Sequence, residues 1–261
     1  MTDSLQRNLG VSHLRPAAWP FPHAIADQFF RPAVYEKLRH EFPHIGTSLT
    51  PGNGERSLYW GDDEYERHLE ESPSWKDVFQ MVQSQAFVSF MIDQFGDYWE
   101  REGCTLDLSK ARFVPYIEDR IDKGRPSLRR VDHSPHELWC RLDFSESKEG
   151  SYGPLHRDLR RRLISMLVYL DRPKDAVSFE DGLILHRCGI DLQLVHRLRV
   201  GRVPKVYSLV RDRIARTTRV PARANRMIVL LNSNRSWHSV PKVQPARQIR
   251  IVVSSSVDIW A

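Results

Sequence analysis

Residues 151–170 read SYGPLHRDLRRRLISMLVYL and place a histidine and an aspartate one residue apart, just before an apolar run. The run that ends this stretch has the length and the aliphatic content of a buried strand. His156 and Asp158 therefore offer an imidazole nitrogen and a carboxylate oxygen at the mouth of a strand, where a bend in the backbone can point both to one side. Two such ligands alone hold a metal poorly, so a metal site here needs a third group from elsewhere in the chain.

His238 is the candidate for that third ligand. It lies in LLNSNRSWHSVPKV, at the end of another apolar strand. Two histidines and one carboxylate on one face of an octahedron leave three positions open for a chelating cosubstrate and O2 on Fe(II). A closed tetrahedral site would not suit oxygen activation.

An arginine beyond His238 offers a partner for the carboxylate of such a cosubstrate, because a guanidinium grips a carboxylate with two parallel hydrogen bonds. Arg247 and Arg250 both have that chemistry. Side chains alternate along a strand, so Arg250 shares a face with small and polar residues, whereas Arg247 lies on the face that carries isoleucines. The polar face is expected to line a cavity, which favours Arg250 over Arg247 and adds Ser254 as a candidate cavity residue.

The order His156-Arg157-Asp158, His238 and Arg250 resembles the H-x-D…H…R signature of the 2-oxoglutarate and Fe(II)-dependent dioxygenases. The similarity extends over about residues 137–257. Within it, FEDGLILH resembles the acidic-glycine turn between two barrel strands of that family. The resemblance implies a double-stranded β-helix, a cupin-like jelly-roll barrel, in the mainly β or α+β class.

The same resemblance implies roles for individual residues. His156, Asp158 and His238 would be the catalytic iron ligands, and Arg250 would pair with the distal carboxylate of 2-oxoglutarate. Fe(II), 2-oxoglutarate and O2 would together hydroxylate a C–H bond, with desaturation or ring closure as related outcomes. Halogenating relatives vacate the acidic position for chloride, whereas Asp158 fills it here, so we predict hydroxylation, as in natural-product or amino-acid tailoring.

The rest of the chain supports a barrel with helices beside it. Short β-like runs separated by turn signals follow residue 111 and predict a sandwich or barrel; they cover residues 111–116, 137–144, 163–170, 182–187, 205–210, 226–233 and 247–257. One helix is predicted at 31–42, and another from the Ser72-Pro73 start signal to Gly96. We expect one domain over residues 1–261, with a jelly-roll catalytic core at 111–257 and a helical part at 1–110 that packs on the barrel.

The net charge of +6 is concentrated in one stretch. Residues 197–226 carry nine arginines and one lysine against one aspartate, whereas the rest of the chain is slightly acidic. A local basic stretch fits a phosphate, a carboxylate or an acidic partner, although a solvated arginine-rich loop has the same composition. With Arg157 and Arg160 near the metal ligands and Arg211 and Arg213 in the basic stretch, we predict an anionic substrate, either a small molecule or a metabolite on an acidic carrier protein.

Several other classes are disfavoured. No run of 18 apolar residues and no signal-peptide pattern occurs, so we expect a cytoplasmic protein without a membrane partner. The three cysteines are far apart and odd in number, which argues against a disulfide framework or a Cys-x-x-Cys metal site. Nucleic acid is not expected as a partner, because the family's alkylated-base demethylases carry a second arginine that is missing after Arg250.

Two alternatives from other classes stay open. A non-catalytic jelly-roll binding module would carry the same three residues by accident. A metal-dependent hydrolase would use them with a metal-bound water, but it needs a general base, and no glutamate falls within the His156 or His238 motifs. His133 and His136 offer a weaker zinc pair, because the loop that carries them contains Pro135.

Overall fold

The structure is a computed structural model and describes residues 2–46, 55–115, 134, 136–171, 182–187, 216–243 and 245–261. Strands dominate this part of the chain. They are β1 (His23–Ala26), β2 (Glu55–Leu58), β3 (Arg112–Phe113), β4 (Glu137–Ser147), β5 (Ser151–His156), β6 (Arg162–Tyr169), β7 (Gly182–Arg187), β8 (Arg216–Pro221), β9 (Arg226–Leu231), β10 (Trp237–Val243) and β11 (Ala246–Ser255).

The strands form two sheets. The large sheet has the order β1-β9-β6-β11-β4-β2, with β3 beside β4, and the small sheet has the order β5-β10-β7-β8. Neighbouring strands are antiparallel apart from the short β3–β4 pair. Apolar side chains from both sheets meet in one cluster, so the sheets face each other; the cluster includes Tyr169, Ile228 and Leu230 from the large sheet and Leu183, Leu185 and Val220 from the small one. Two facing antiparallel sheets are the jelly-roll arrangement that the sequence predicts.

In the described residues, six α-helices precede the central strands: α1 (Asp3–Asn8), α2 (Pro32–His40), α3 (Asp63–Glu71), α4 (Pro73–Val82), α5 (Gln85–Phe95) and α6 (Tyr98–Arg101). Their apolar side chains and those of the outer face of the large sheet form the main core. The ring of Trp75 on α4 meets the ring of Phe144 on β4 edge to face at 4.7 Å. Tyr65 on α3 adds a hydrogen bond of 2.8 Å from its hydroxyl to the carbonyl of Leu142. None of the helices in the described part of the chain combines the length and the apolar composition that a membrane crossing needs.

The predicted helix from Ser72 to Gly96 is wrong in its extent, because the structure has two helices there. Ser72 does cap α4, since its hydroxyl accepts a hydrogen bond from the backbone N–H of Trp75. The helix ends at Gln83, and Ser84 then caps α5 by accepting a hydrogen bond from the N–H of Phe87. Serine is a strong helix N-cap, so a second one in the middle of an apolar run starts a second helix.

The first hundred residues also contribute strands that the sequence did not predict. β1 pairs with β9 and β2 pairs with β4, so these two strands form the ends of the large sheet. Glu55 lies opposite Ser147 in that pairing. The N-terminal part of the chain therefore supplies a side chain to the space between the sheets.

Three strands of the small sheet, β5, β8 and β10, were also not predicted. His156 is the last residue of β5, six residues before β6 begins, and His238 is the second residue of β10. The predicted strand at 205–210 lies outside the described residues.

Candidate metal-binding site

Strand pairing in the small sheet brings the two predicted histidine ligands together. His156 on β5 lies directly opposite His238 on β10, and the centroids of their rings are 4.3 Å apart. Asp158 follows in the turn between β5 and β6. One ligand atom from each of the three residues lies within 4.8 Å of the others. Sequence-distant groups thus converge on a point that a single ion can fill.

Backbone carbonyl groups orient both imidazoles in the same way. Nδ1 of His156 lies 2.7 Å from the carbonyl oxygen of Pro154, and Nδ1 of His238 lies 3.0 Å from that of Ser236. Because a carbonyl oxygen only accepts, Nδ1 carries the proton in both rings and donates it. Nε2 is then the basic nitrogen in each ring, and that of His156 lies 3.9 Å from Oδ1 of Asp158. Both rings therefore present a lone pair to the same point, as metal-ligating histidines do.

Hydrogen bonds from β6 hold the carboxylate of Asp158. Its Oδ1 accepts a hydrogen bond of 2.8 Å from Nη1 of Arg162, and its Oδ2 accepts one of 2.5 Å from the hydroxyl of Ser165. Asn232 donates in turn to the Ser165 hydroxyl at 2.8 Å. Burial alone would raise the pKa of Asp158, but Arg162, His238 and the Ser165 hydrogen bond outweigh it and hold that pKa well below its usual range. The carboxylate is therefore ionised at neutral pH.

Burial has the opposite consequence for His238. It lowers the pKa of the imidazole to about 4, although the negative charge of Asp158 works in the other direction. His238 is therefore neutral near pH 7, which is the protonation state that binds a metal.

A cavity of about 340 Å³ lies between the sheets beside these three residues. One part of its wall is apolar and comprises Met166, Leu167, Tyr169, Leu183, Ala222, Ile228, Leu230 and Val240. Another part is polar and comprises Glu55, Tyr59, Ser147, Ser151, Gln248 and Arg250. The cavity thus combines a metal-ligand set, a cation and a water-excluding surface, the usual composition of a small-molecule site.

The two candidate arginines lie on opposite faces of β11. Arg250 lines the cavity, whereas Arg247 pairs with Asp171 at 3.3 Å and lies over the ring of Phe42 at 5.5 Å. The different surroundings follow from the alternation of side chains between the two faces of a strand, which is also why Arg250 was preferred over Arg247 as the partner of the cosubstrate. Ser254 is buried on the same strand but does not contact the cavity.

Arg250 has a carboxylate neighbour that the sequence analysis missed. Oε1 of Glu55 on β2 lies 3.7 Å from Nη2 of Arg250 and accepts hydrogen bonds from Gln248 Nε2 at 3.1 Å and from the hydroxyl of Ser145. No sequence signal marks Glu55, because β2 is four residues long and joins the sheet only through a distant partner, β4.

The two predicted substrate-binding arginines among the described residues, Arg157 and Arg160, do not line the cavity. Arg157 donates to Asn234 Oδ1 at 2.5 Å and lies over the ring of Trp237, and Arg160 donates to the carbonyl of Trp260. Arg211 and Arg213 lie outside the described residues, as does His133 of the weaker zinc pair.

No protein-family model and no curated protein matches the sequence. Solved structures do match. HygX from Streptomyces hygroscopicus, solved with nickel, 2-oxoglutarate and hygromycin B bound, superposes with a TM-score of 0.50 at 12% identity over 90% of this chain and 82% of its own. A Pseudomonas putida prolyl-4-hydroxylase matches with a TM-score of 0.42 at 11% identity over 89% of this chain and 92% of its own. The non-heme alpha-ketoglutarate-dependent epimerase SnoN from nogalamycin biosynthesis matches with a TM-score of 0.41 at 11% identity over 97% of this chain and 80% of its own.

At these identities the likeness concerns the fold. The two facing sheets, with HygX as a solved structure of the same architecture, confirm the predicted jelly-roll barrel. The chain has the double-stranded β-helix fold of the 2-oxoglutarate and Fe(II)-dependent oxygenases, the family that its H-x-D…H…R pattern resembles.

Proposed function

We propose that this protein is a 2-oxoglutarate- and Fe(II)-dependent oxygenase that hydroxylates a C–H bond of a small-molecule or carrier-bound substrate. The observation that carries the proposal is the convergence of His156, Asp158 and His238 within 4.8 Å at the wall of a cavity that Arg250 also lines. The solved structure of HygX, which has the same fold, holds nickel and 2-oxoglutarate and supports this choice of cofactors.

The donor set fits Fe(II). Two imidazoles that each present Nε2, together with one ionised carboxylate, form the 2-His-1-carboxylate set of non-haem iron oxygenases. Among the described residues, no further histidine, cysteine or acidic side chain joins the group, so a bound Fe(II) would keep coordination positions for 2-oxoglutarate and O2. With 2-oxoglutarate and O2, bound Fe(II) would supply the oxidising power that C–H hydroxylation requires.

The protein's own residues would bind and orient the reactants. Arg250 offers its guanidinium to the distal carboxylate of 2-oxoglutarate. Arg162 and Ser165 hold Asp158 in one orientation and keep it ionised. The apolar wall excludes water from the space next to the metal ligands, which strengthens every electrostatic interaction there.

The reaction type and the substrate are the finer part of the proposal. Because Asp158 supplies the carboxylate, we favour hydroxylation, or the related desaturation or cyclisation, over halogenation. An anionic substrate remains a prediction from the basic stretch at 197–226, since Arg157 and Arg160 are engaged within the protein. Turnover at rising ionic strength, with Arg211→Gln and Arg213→Gln variants alongside, tests it: an unchanged Michaelis constant throughout would contradict an anionic substrate.

The central experiment is anaerobic addition of Fe(II) and 2-oxoglutarate to the metal-free protein. A weak visible charge-transfer band is expected when both are present, and it should be absent in His238→Ala. A binding module would give no band and no iron affinity. A hydrolase would bind metal but give no band with 2-oxoglutarate.

A further inference from the structure

The inner face of the large sheet carries charged side chains in addition to the three candidate metal ligands. Arg250 on β11 lies opposite Asp143 on β4, and Glu55 on the neighbouring β2 lines the same cavity. The side chain of Glu55 is 13% exposed and that of Arg250 is 38% exposed. Because both residues line the cavity, this surface faces the space that a cosubstrate would enter.

The carboxylate of Glu55 is held in place by two uncharged groups. Its Oε1 accepts from the hydroxyl of Ser145 on β4 and from Nε2 of Gln248 on β11 at 3.1 Å. Gln248 and Arg250 are two residues apart and lie on the same face of β11. These contacts keep the carboxylate 3.7 Å from Nη2 of Arg250, which is an ion-pair distance but too long for a strong hydrogen bond.

The positive charge of Arg250 therefore already has a counter-charge within the protein. The neighbouring Arg141 and Asp143 also pair, with Nε and Oδ2 at 2.7 Å, and their opposite charges act on Arg250 in opposite directions. A dicarboxylate that approached Arg250 would bring a second negative group beside Glu55. Two carboxylates in a partly desolvated site repel each other strongly, because the effective dielectric constant there is far below that of water.

We infer that Glu55 is a specificity-determining residue for the cosubstrate: it competes for Arg250 with the distal carboxylate of a 2-oxo diacid and so weakens binding of 2-oxoglutarate. This inference rests on the proposed function, because it takes 2-oxoglutarate as the cosubstrate and Arg250 as its anchor. A 2-oxo acid of the same length that ends in a methyl group has no carboxylate to meet Glu55. Glu55 thus reduces the difference in affinity by which the site binds the diacid more tightly than the monoacid.

The test is direct binding without turnover. The purified protein is loaded with Ni(II) in place of Fe(II), and 2-oxoglutarate and 2-oxovalerate are titrated into wild type and Glu55→Gln by calorimetry. Glu55→Gln is expected to bind 2-oxoglutarate about tenfold more tightly, as removal of one like charge from a partly desolvated site should do. The affinity for 2-oxovalerate is expected to stay unchanged.

Three further variants separate charge from packing. Glu55→Asp keeps the charge and should stay near wild type for 2-oxoglutarate. Glu55→Ala should tighten binding as Glu55→Gln does, which covers the case in which one of the two fails to fold. Glu146 lies between Ser145 and Ser147 in β4, but on the opposite face of the strand. Glu146→Gln therefore removes a nearby carboxylate that does not face the cavity, and it should change the affinity for neither 2-oxoglutarate nor 2-oxovalerate.

The outcomes distinguish the two levels of the proposal. If wild type binds 2-oxoglutarate and neither neutral variant binds it more tightly, Glu55 does not compete and the inference is wrong. Weaker binding in both neutral variants would instead make Glu55 a group that orients Arg250, which also overturns it. If neither wild type nor any variant binds 2-oxoglutarate, the assignment of the cosubstrate is wrong, and the inference about Glu55 is then wrong as well.

Discussion

The hydroxyl of Ser165 donates a hydrogen bond of 2.5 Å to Oδ2 of Asp158 and accepts one of 2.8 Å from Asn232. These two hydrogen bonds link β6 and the end of β9 to the carboxylate that lies beside the two histidines. Asp158 lies two residues beyond the end of β5, in the connection to β6. Ser165 therefore helps to orient the carboxylate, and through it the candidate metal site depends on the large sheet as well as on the small one.

Ser165→Ala should lower the affinity for Ni(II) or Fe(II) about tenfold, the lower end of the range for loss of a hydrogen bond to a metal ligand. The carboxylate would keep its bond to Arg162 but lose its second fixed contact. A competition titration against a chromogenic chelator measures the change. Ser72→Ala is the matched control, because Ser72 is also a buried serine but caps α4 away from the cavity. Equal metal affinity in Ser165→Ala and wild type would contradict the role of Ser165.

Arg250→Gln should weaken binding of 2-oxoglutarate to the Ni(II) protein about tenfold or more, because a charge-assisted pair with the distal carboxylate is lost. Arg247→Gln removes the same charge from the other face of the same strand, where Arg247 contacts Asp171 and Phe42. It should leave the affinity unchanged. Calorimetric titration of both variants decides between the two arginines, and a larger loss in Arg247→Gln would reverse the assignment.

The sequence predicts well the central strands of the large sheet, β4, β6, β9 and β11. Strands such as β6 and β9 are covered by helices on one face and border the cavity on the other, so they appear in the sequence as nearly continuous apolar runs. The candidate metal ligands were selected for a related reason, since His156, Asp158 and His238 are polar residues a few positions away from such runs.

In the small sheet only β7 gave a comparable signal, and β5, β8 and β10 did not. β5 contains Gly153 and Pro154, and β10 contains Pro241, residues that usually mark turns or strand edges. β5 alternates between buried and exposed positions, so it never forms an apolar run. Glu55 was missed because its position depends on the pairing of β2 with β4, and no local pattern in the sequence reports a pairing between strands so far apart.

Ser84→Ala should destabilise the protein by about 1 kcal/mol, the usual cost of losing a helix N-cap. The hydroxyl of Ser84 accepts from the N–H of Phe87 and donates to the carbonyl of Met81 at 2.6 Å, so it both begins α5 and closes the end of α4. Urea unfolding measures the change. Ser89 lies inside α5, so Ser89→Ala is the control. It should leave the free energy of unfolding unchanged or raise it slightly, since alanine has a higher helix propensity than serine. If both variants unfold alike, Ser84 is not the cap that divides the predicted helix.

The metal-free protein should lose stability as the pH falls from about 6.5 towards 4. Burial holds the pKa of His238 at about 4 in the folded protein, against an ordinary value of 6.5. Between these values the unfolded chain binds a proton that the folded protein does not, so the free energy of unfolding falls with falling pH by up to about 1.4 kcal/mol per pH unit. His23 and His68, whose pKa values are also lowered by burial, act in the same direction.

Urea unfolding of the metal-free protein at pH 7, 6 and 5 measures this slope. His238→Gln should show a shallower slope than wild type, because one of the protons taken up on unfolding is removed. His13→Gln, which changes an exposed histidine, should keep the wild-type slope. An unchanged slope in His238→Gln would mean that the imidazole of residue 238 is protonated equally in both states. In that case burial does not keep the His238 imidazole neutral below pH 6.5. Protons would then compete with the metal ion for this imidazole.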